Sequence, residues 1–221
     1  MIRQLALTIG ILIFAGCKAQ ADAAIPKTTL PIGVSKVTKI EPLPTNQADS
    51  SIIPLSVIVF ILDDQQEVFS SQRTAAEILE IHAEANKIWA QAKIRFQLTE
   101  VRRVTVPLGM SGNVIRRQFN DFFINTEELG EDFVSQASIS GFYVKTIKGD
   151  NGLRPDGFNS FFISDNTLND TGRTVAHELG HILGLTHTNN DPKKLMHSGA
   201  NGTFLSQDEI ALARKNALAL E

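Results

Sequence analysis

The sequence predicts an α/β (α+β) domain built on a twisted, mostly parallel sheet, and three stretches carry that prediction. Leu55 to Leu62 (L-S-V-I-V-F-I-L) is a nearly unbroken apolar run of strand length, as expected for a central strand covered on both faces. A helix-periodic stretch follows. Ile78, Ile81, Ala85, Ile88 or Trp89 and Ala92 share one face, while Glu80, Glu84, Lys87 and Gln91 share the other. Ile94, Phe96 and Leu98 then alternate with polar residues, and the alternation resumes out of phase at Val104 and Val106, which reads as a strand with a bulge near Thr99 to Arg103. Strand, helix, strand is a crossover unit, and its default is a right-handed parallel pair.

Before this unit the chain is of another kind. Arg3 precedes Leu5 to Gly16, apolar except for Thr8, which has the length of a signal-peptide core and is too short to span a bilayer. Export is therefore expected, to the periplasm or the cell exterior. Two cleavage readings compete. F-A-G-C at 14 to 17 fits a lipobox that would leave Cys17 lipidated and the protein anchored to a membrane, whereas A-Q-A at 19 to 21 fits an ordinary site with a soluble product. The lipobox is the preferred reading. Either way Cys17, the only cysteine, is spent, so the mature domain has no internal disulfide. Residues 1–17 are thus assigned to the signal, 18–51 to a flexible tether with prolines at 26, 31, 42 and 44, and 52–221 to one folded domain. The competing reading of the tether is a short pro-segment, with Ile32 to Ile40 lying across a cleft. A net charge of −3 with both signs interspersed gives no footprint for nucleic acid.

Within the domain, Ser70 or Ser71 is the expected cap of the long helix, which should run through Ala92, and His82 beside its apolar stripe reads as a structural or surface histidine. Residues 112–137 carry apolar positions compatible with one or two short helices. Ile139 to Ile147 reads as a strand with a glycine kink, and Phe158 to Ser164 as another. Between them Gly149 to Gly157 is a turn cluster. Asp150, Asn151 and Asp156 offer oxygens there, but their spacing matches no calcium loop, so calcium is unsupported. Asp170 or Thr171 should cap the next helix, whose Val175, Leu179, Ile182 and Leu183 are apolar. Leu205, Ser206, Glu209 and Ile210 form a capping box with a hydrophobic staple that opens a C-terminal helix to about Leu220.

The chemistry is concentrated in Thr174 to His187, T-V-A-H-E-L-G-H-I-L-G-L-T-H. His177 and His181, four residues apart, share one helix face and can hold one ion together. Glu178 points beside that pair, where a carboxylate reaches the attacking water without being a ligand. Gly184 stands where a left-handed residue can end the helix and bring His187 round as a third ligand. Three imidazoles leave one position open, which marks a catalytic rather than a structural zinc site.

H-E-x-x-H-x-x-G-x-x-H over 177–187 resembles the metzincin metallopeptidases. The resemblance also implies a methionine in a tight turn beneath the metal, for which Met196 in K-K-L-M-H-S-G is the candidate. A-N-K-I-W-A-Q-A-K-I-R-F at 85–96 looks like the helix-to-strand passage of bacterial members. The family implies a protein or peptide substrate, an antiparallel edge strand supplied by 139–147 or 158–164 that binds the substrate by β-augmentation, and a closing helix. Ser198 stands where astacins and serralysins place a tyrosine, and Thr188 where astacins and adamalysins place an acidic residue, so no branch is assigned. His197, next to the turn methionine, reads as a pocket residue beside the ligands. Two further readings share the site. One is a binding module that keeps the metal as structure, and the other an amidase acting on a non-peptide bond.

Overall fold

A computed structural model of the chain describes residues 33–40, 50–65, 69–106, 111, 138–168 and 170–221. The signal segment, Cys17, most of the tether and the helices expected over 112–137 lie outside the described residues. Six strands form one sheet: β1 (Gly33–Lys39), β2 (Ile53–Asp64), β3 (Ile94–Val106), β4 (Ile139–Val144), β5 (Gly152–Leu153) and β6 (Ser160–Ser164), in the order β1-β3-β2-β4-β6-β5. The inner pairs β3/β2, β2/β4 and β4/β6 are parallel, and both outer pairs, β1/β3 and β5/β6, are antiparallel. Three α-helices accompany the sheet among the described residues: α1 (Ala75–Trp89), α2 (Thr171–Ile182) and α3 (Gln207–Leu218).

The central strand is β2, as its apolar run requires. Leu55, Val57, Val59 and Ile61 enter the core shared with the helices, while Ile58, Phe60 and Leu62 enter a second cluster with Val104, Phe142 and Phe162 on the other face. The bulge falls at Thr99, because Leu98 pairs with Val57 and Glu100 with Ile58, leaving Thr99 as the extra residue. Its hydroxyl donates to the Val57 carbonyl at 3.2 Å.

Five expectations need correction. The long helix is capped by Thr74, not by Ser70 or Ser71, through a capping box with Glu77. The two serines are engaged elsewhere: Ser70 Oγ donates to the Asp64 carbonyl and Ser71 Oγ to the Asp165 carboxylate at 2.7 Å, which ties the start of α1 to the end of β6. The helix also stops at Trp89. Ala90–Ala92 is a 3₁₀ turn, closed by Lys93 in the left-handed region at φ 53°. Gly33–Lys39, assigned to the tether, is a sheet strand, and it pairs with β3 at the edge opposite β5. Finally, the edge strand beside α2 is neither 139–147 nor 158–164. β4 and β6 are interior, and Gly152–Leu153, inside the turn cluster, forms the antiparallel edge. Gly141 is required by packing rather than by a kink: a Cβ there would meet the Phe161 ring at 2.5 Å.

Candidate metal centre

Helix α2 carries the centre and is almost wholly buried. Asp170 caps it by accepting from Arg173 N at 2.8 Å, and Val175, Ala176 and Leu179 are packed in the core. Burying side chains of the size of Val175 or Leu179 contributes about 1.5–3 kcal/mol each. Helix α1 supports α2 through Trp89, whose indole N–H donates to the Ala176 carbonyl at 3.1 Å inside the core. The exit is a Schellman turn. Leu185 N donates to Gly180 O at 2.9 Å and Gly184 N to His181 O at 3.1 Å, with Gly184 at φ 82°. Gly184 therefore sits in the conformation that its place in the motif demands, and the chain turns back toward the helix at His187.

The structure brings His177, His181 and His187 together. The Nε2 atoms of His177 and His187 are 3.0 Å apart, those of His181 and His187 3.1 Å, and one ligand atom from each of the three lies within 4.8 Å of the others. The other nitrogen of the two helix histidines is occupied. Nδ1 of His177 donates to the Leu195 carbonyl at 2.8 Å and Nδ1 of His181 to the Leu185 carbonyl at 2.9 Å, so the tautomer that fits leaves each Nε2 lone pair facing the shared point. Burial, first of all, holds His177 down to about 3, outweighing the Leu195 hydrogen bond, with Arg173, His181 and His187 adding to the depression. His181 is lowered chiefly by burial as well. Neutral imidazoles with converging lone pairs are the donor set a zinc ion takes, so the residues fit the metal.

Glu178 is 5% exposed and is pushed up to about 8, first by burial and then by Asp150, against the lowering effect of Arg173. A divalent cation at the triad would favour its charged form. The β5 backbone lies directly on this side chain: a Cβ on Gly152 would meet Glu178 Cγ and Oε1 at 3.0 Å and Thr174 Cγ2 at 2.9 Å. Met196 is fully buried under α2. A Cβ on Gly180 would meet its sulfur at 2.6 Å, and its carbonyl accepts from Thr188 N at 2.9 Å, which closes the loop between the third histidine and the methionine. His197 is half-buried, and its carbonyl accepts from Arg173. His82 is buried with neither ring nitrogen hydrogen-bonded, its ring 6.2 Å from that of Phe161, well into the core. Of the turn-cluster oxygens, Asn151 Oδ1 accepts from Leu168 N and Asp156 Oδ1 from Arg154, as ordinary turn chemistry.

Three contributors carried no distinct sequence signal. Gly152 was one glycine among several in a turn cluster. The Leu195 and Leu185 carbonyls are backbone atoms. Arg173 does have a trace, being a cation four residues before His177 and so on the same helix face as that residue.

Residues 116–211 match the model of peptidase family M43, described as pregnancy-associated plasma protein-A. No curated protein matches the chain in sequence. Among solved structures, a chain from "Structure of a chaperone-substrate complex" superposes with a TM-score of 0.50 at 11% identity, covering 77% of this chain and 38% of that one. At that identity the likeness concerns the fold, and the present chain spans well under half of the other's length. Residues 116–211 thus match a metzincin-type zinc metallopeptidase family, and the convergent His triad fits a metzincin site.

Proposed function

We propose that this protein is a zinc-dependent endopeptidase with Glu178 as its general base. The observation that carries the reading is the convergence of three imidazole Nε2 atoms on one point, one helix residue away from a buried carboxylate. His177, His181 and His187 would hold the ion. Bound there, zinc supplies Lewis acidity, polarising a carbonyl and making water acidic enough to react near neutral pH. The rest falls to the chain. Glu178 takes the proton of the attacking water and delivers it to the leaving amine, and burial, by raising its proton affinity, favours the first of these steps. The edge strand β5, lying against Glu178, offers backbone groups along which an extended peptide can add as a further strand. Met196 provides the packed floor beneath the helix.

The test separates the base from the ligands. Glu178→Ala should lose at least about a hundredfold in turnover, roughly 3 kcal/mol of transition-state stabilisation, while its zinc content stays at the wild-type level. His181→Ala should lose zinc itself. Near wild-type cleavage by Glu178→Ala would remove the assigned base, and loss of zinc in that variant would make Glu178 a structural support. Profiling a mixed peptide library with and without chelator decides against an amidase or a binding module if chelator-sensitive peptide cleavage is seen.

We further propose that the protein is exported and held at a membrane by lipidated Cys17, with the alternative of a soluble product cleaved after Ala21. The support is the sequence pattern of residues 3–21.

A further inference from the structure

Arg173 lies one helical turn before His177 on the same face of α2 and is 5% exposed. A buried guanidinium needs acceptors, since desolvating an unsatisfied charge is costly. Its acceptors are all on another segment. Nη2 donates to the carbonyls of Leu195 at 2.6 Å and His197 at 2.7 Å, and Nε to the carbonyl of Gly202 at 3.3 Å. The first two bracket Met196. The third belongs to the returning stretch, which pairs with the outgoing one where Lys194 bridges Phe204 and Leu195 N donates to Phe204 O. One cation on the zinc helix thus holds both passes of the methionine loop.

One of these acceptors has a second donor. The Leu195 carbonyl also accepts Nδ1 of His177 at 2.8 Å. Fixing that oxygen fixes the direction in which His177 presents Nε2. His181 is oriented differently: its acceptor, Leu185 O, belongs to the Schellman exit of α2 itself and is not among the carbonyls to which Arg173 donates.

Resting on the reading of the triad as a metal site, we infer that Arg173 is a positioning residue for that site, clamping the Leu195 carbonyl and through it the His177 ring. The role suits arginine and not lysine. A planar fork reaches three separated acceptors at once, whereas an ammonium on a flexible stem is a point donor. Arg173→Lys keeps the charge near Glu178 and most of the buried stem and removes only the fork. The geometry also makes the effect selective, because one of the two helix ligands hangs on the clamp and the other does not.

The experiment uses the full chain, solubilised in detergent, with two readouts. In chelator competition, Arg173→Lys should bind zinc roughly ten- to a hundredfold more weakly than wild type, the range expected when a residue supporting a metal ligand is lost. In the cobalt-loaded proteins, the exchangeable imidazole N–H signals report each ring separately. The Nδ1–H of His177 should exchange faster in the variant while that of His181 is unchanged. A folded Arg173→Lys chain with wild-type zinc affinity overturns the inference, and so does equal acceleration at both histidines, which would mean general loosening. Should the variant not fold, the wild-type protein still decides, because the clamped His177 N–H must exchange more slowly than that of His181, and the reverse order overturns the clamp. Wild-type chain that takes up neither zinc nor cobalt overturns the metal-site reading and the inference with it. Normal uptake with an unaffected variant overturns the inference alone.

Discussion

Replacing Gly152 by alanine tests whether β5 sets the position of Glu178. A Cβ built there lies 3.0 Å from Glu178 Cγ and Oε1 and 2.9 Å from Thr174 Cγ2. Ordinary carbon contacts are about 3.5–4.0 Å, so something must retreat by about half an ångström or more. The strand is poorly placed to do so: Gly152 and Leu153 pair with Ile163 and Phe162, Ser164 N donates to Asn151 O, and Leu168 N donates to Asn151 Oδ1. The side chain of Glu178 is the softer partner and should move. A misplacement of about 1 Å costs on the order of a hundredfold in rate, so we expect kcat/KM to fall by roughly ten- to a hundredfold, or about 1.4–2.7 kcal/mol. Overpacking should cost about 1–3 kcal/mol of stability and lower Tm by several degrees. Zinc content should not change, since no triad atom meets the added methyl among its three nearest contacts. Steady-state cleavage of a quenched peptide, metal analysis and thermal unfolding on the same preparation check this. Wild-type kcat/KM in a folded Gly152→Ala protein would refute the argument that the edge strand positions the base.

Acid stability should depend on His82. Burial holds its folded-state value down to about 4, below the ordinary 6.5, so the unfolded chain binds the extra proton: the contribution is full above pH 6.5 and is lost as pH falls toward 4, amounting to about 3 kcal/mol. In denaturant titrations His82→Leu should lose less stability than wild type between those pH values, and parallel curves for the two proteins would exclude the effect. Cys17→Ala should move the protein from the membrane to the soluble fraction; unchanged fractionation, or an N-terminus mapped after Ala21, would decide for the ordinary signal.

The local signals in the sequence were enough for most of the elements and for the grouping of the three imidazoles, because each depends on residues close in the chain. The apolar run of β2, the capping box at Ser206 and Glu209, and the spacing of His177, Glu178, His181, Gly184 and His187 are all short-range patterns, and the structure places the three imidazoles on one point as that spacing requires. Thr74 was missed as a cap because Ser70 and Ser71 are equally good capping residues by type, and only their bonds to Asp64 and Asp165 remove them from competition. What the sequence could not decide was every relation set by atoms distant in the chain or by the backbone itself. Strand order put Gly33–Lys39 at one edge and Gly152–Leu153 at the other, a choice made by pairing across the whole sheet. The value of Gly152 depends on how near one backbone comes to one carboxylate, and that of Arg173 on three carbonyls 22 to 29 residues away. Carbonyl oxygens are present in every residue, so their use as acceptors leaves no mark on residue identity, and it is the tertiary packing of the methionine loop against α2 that joins Arg173, the Leu195 carbonyl and His177.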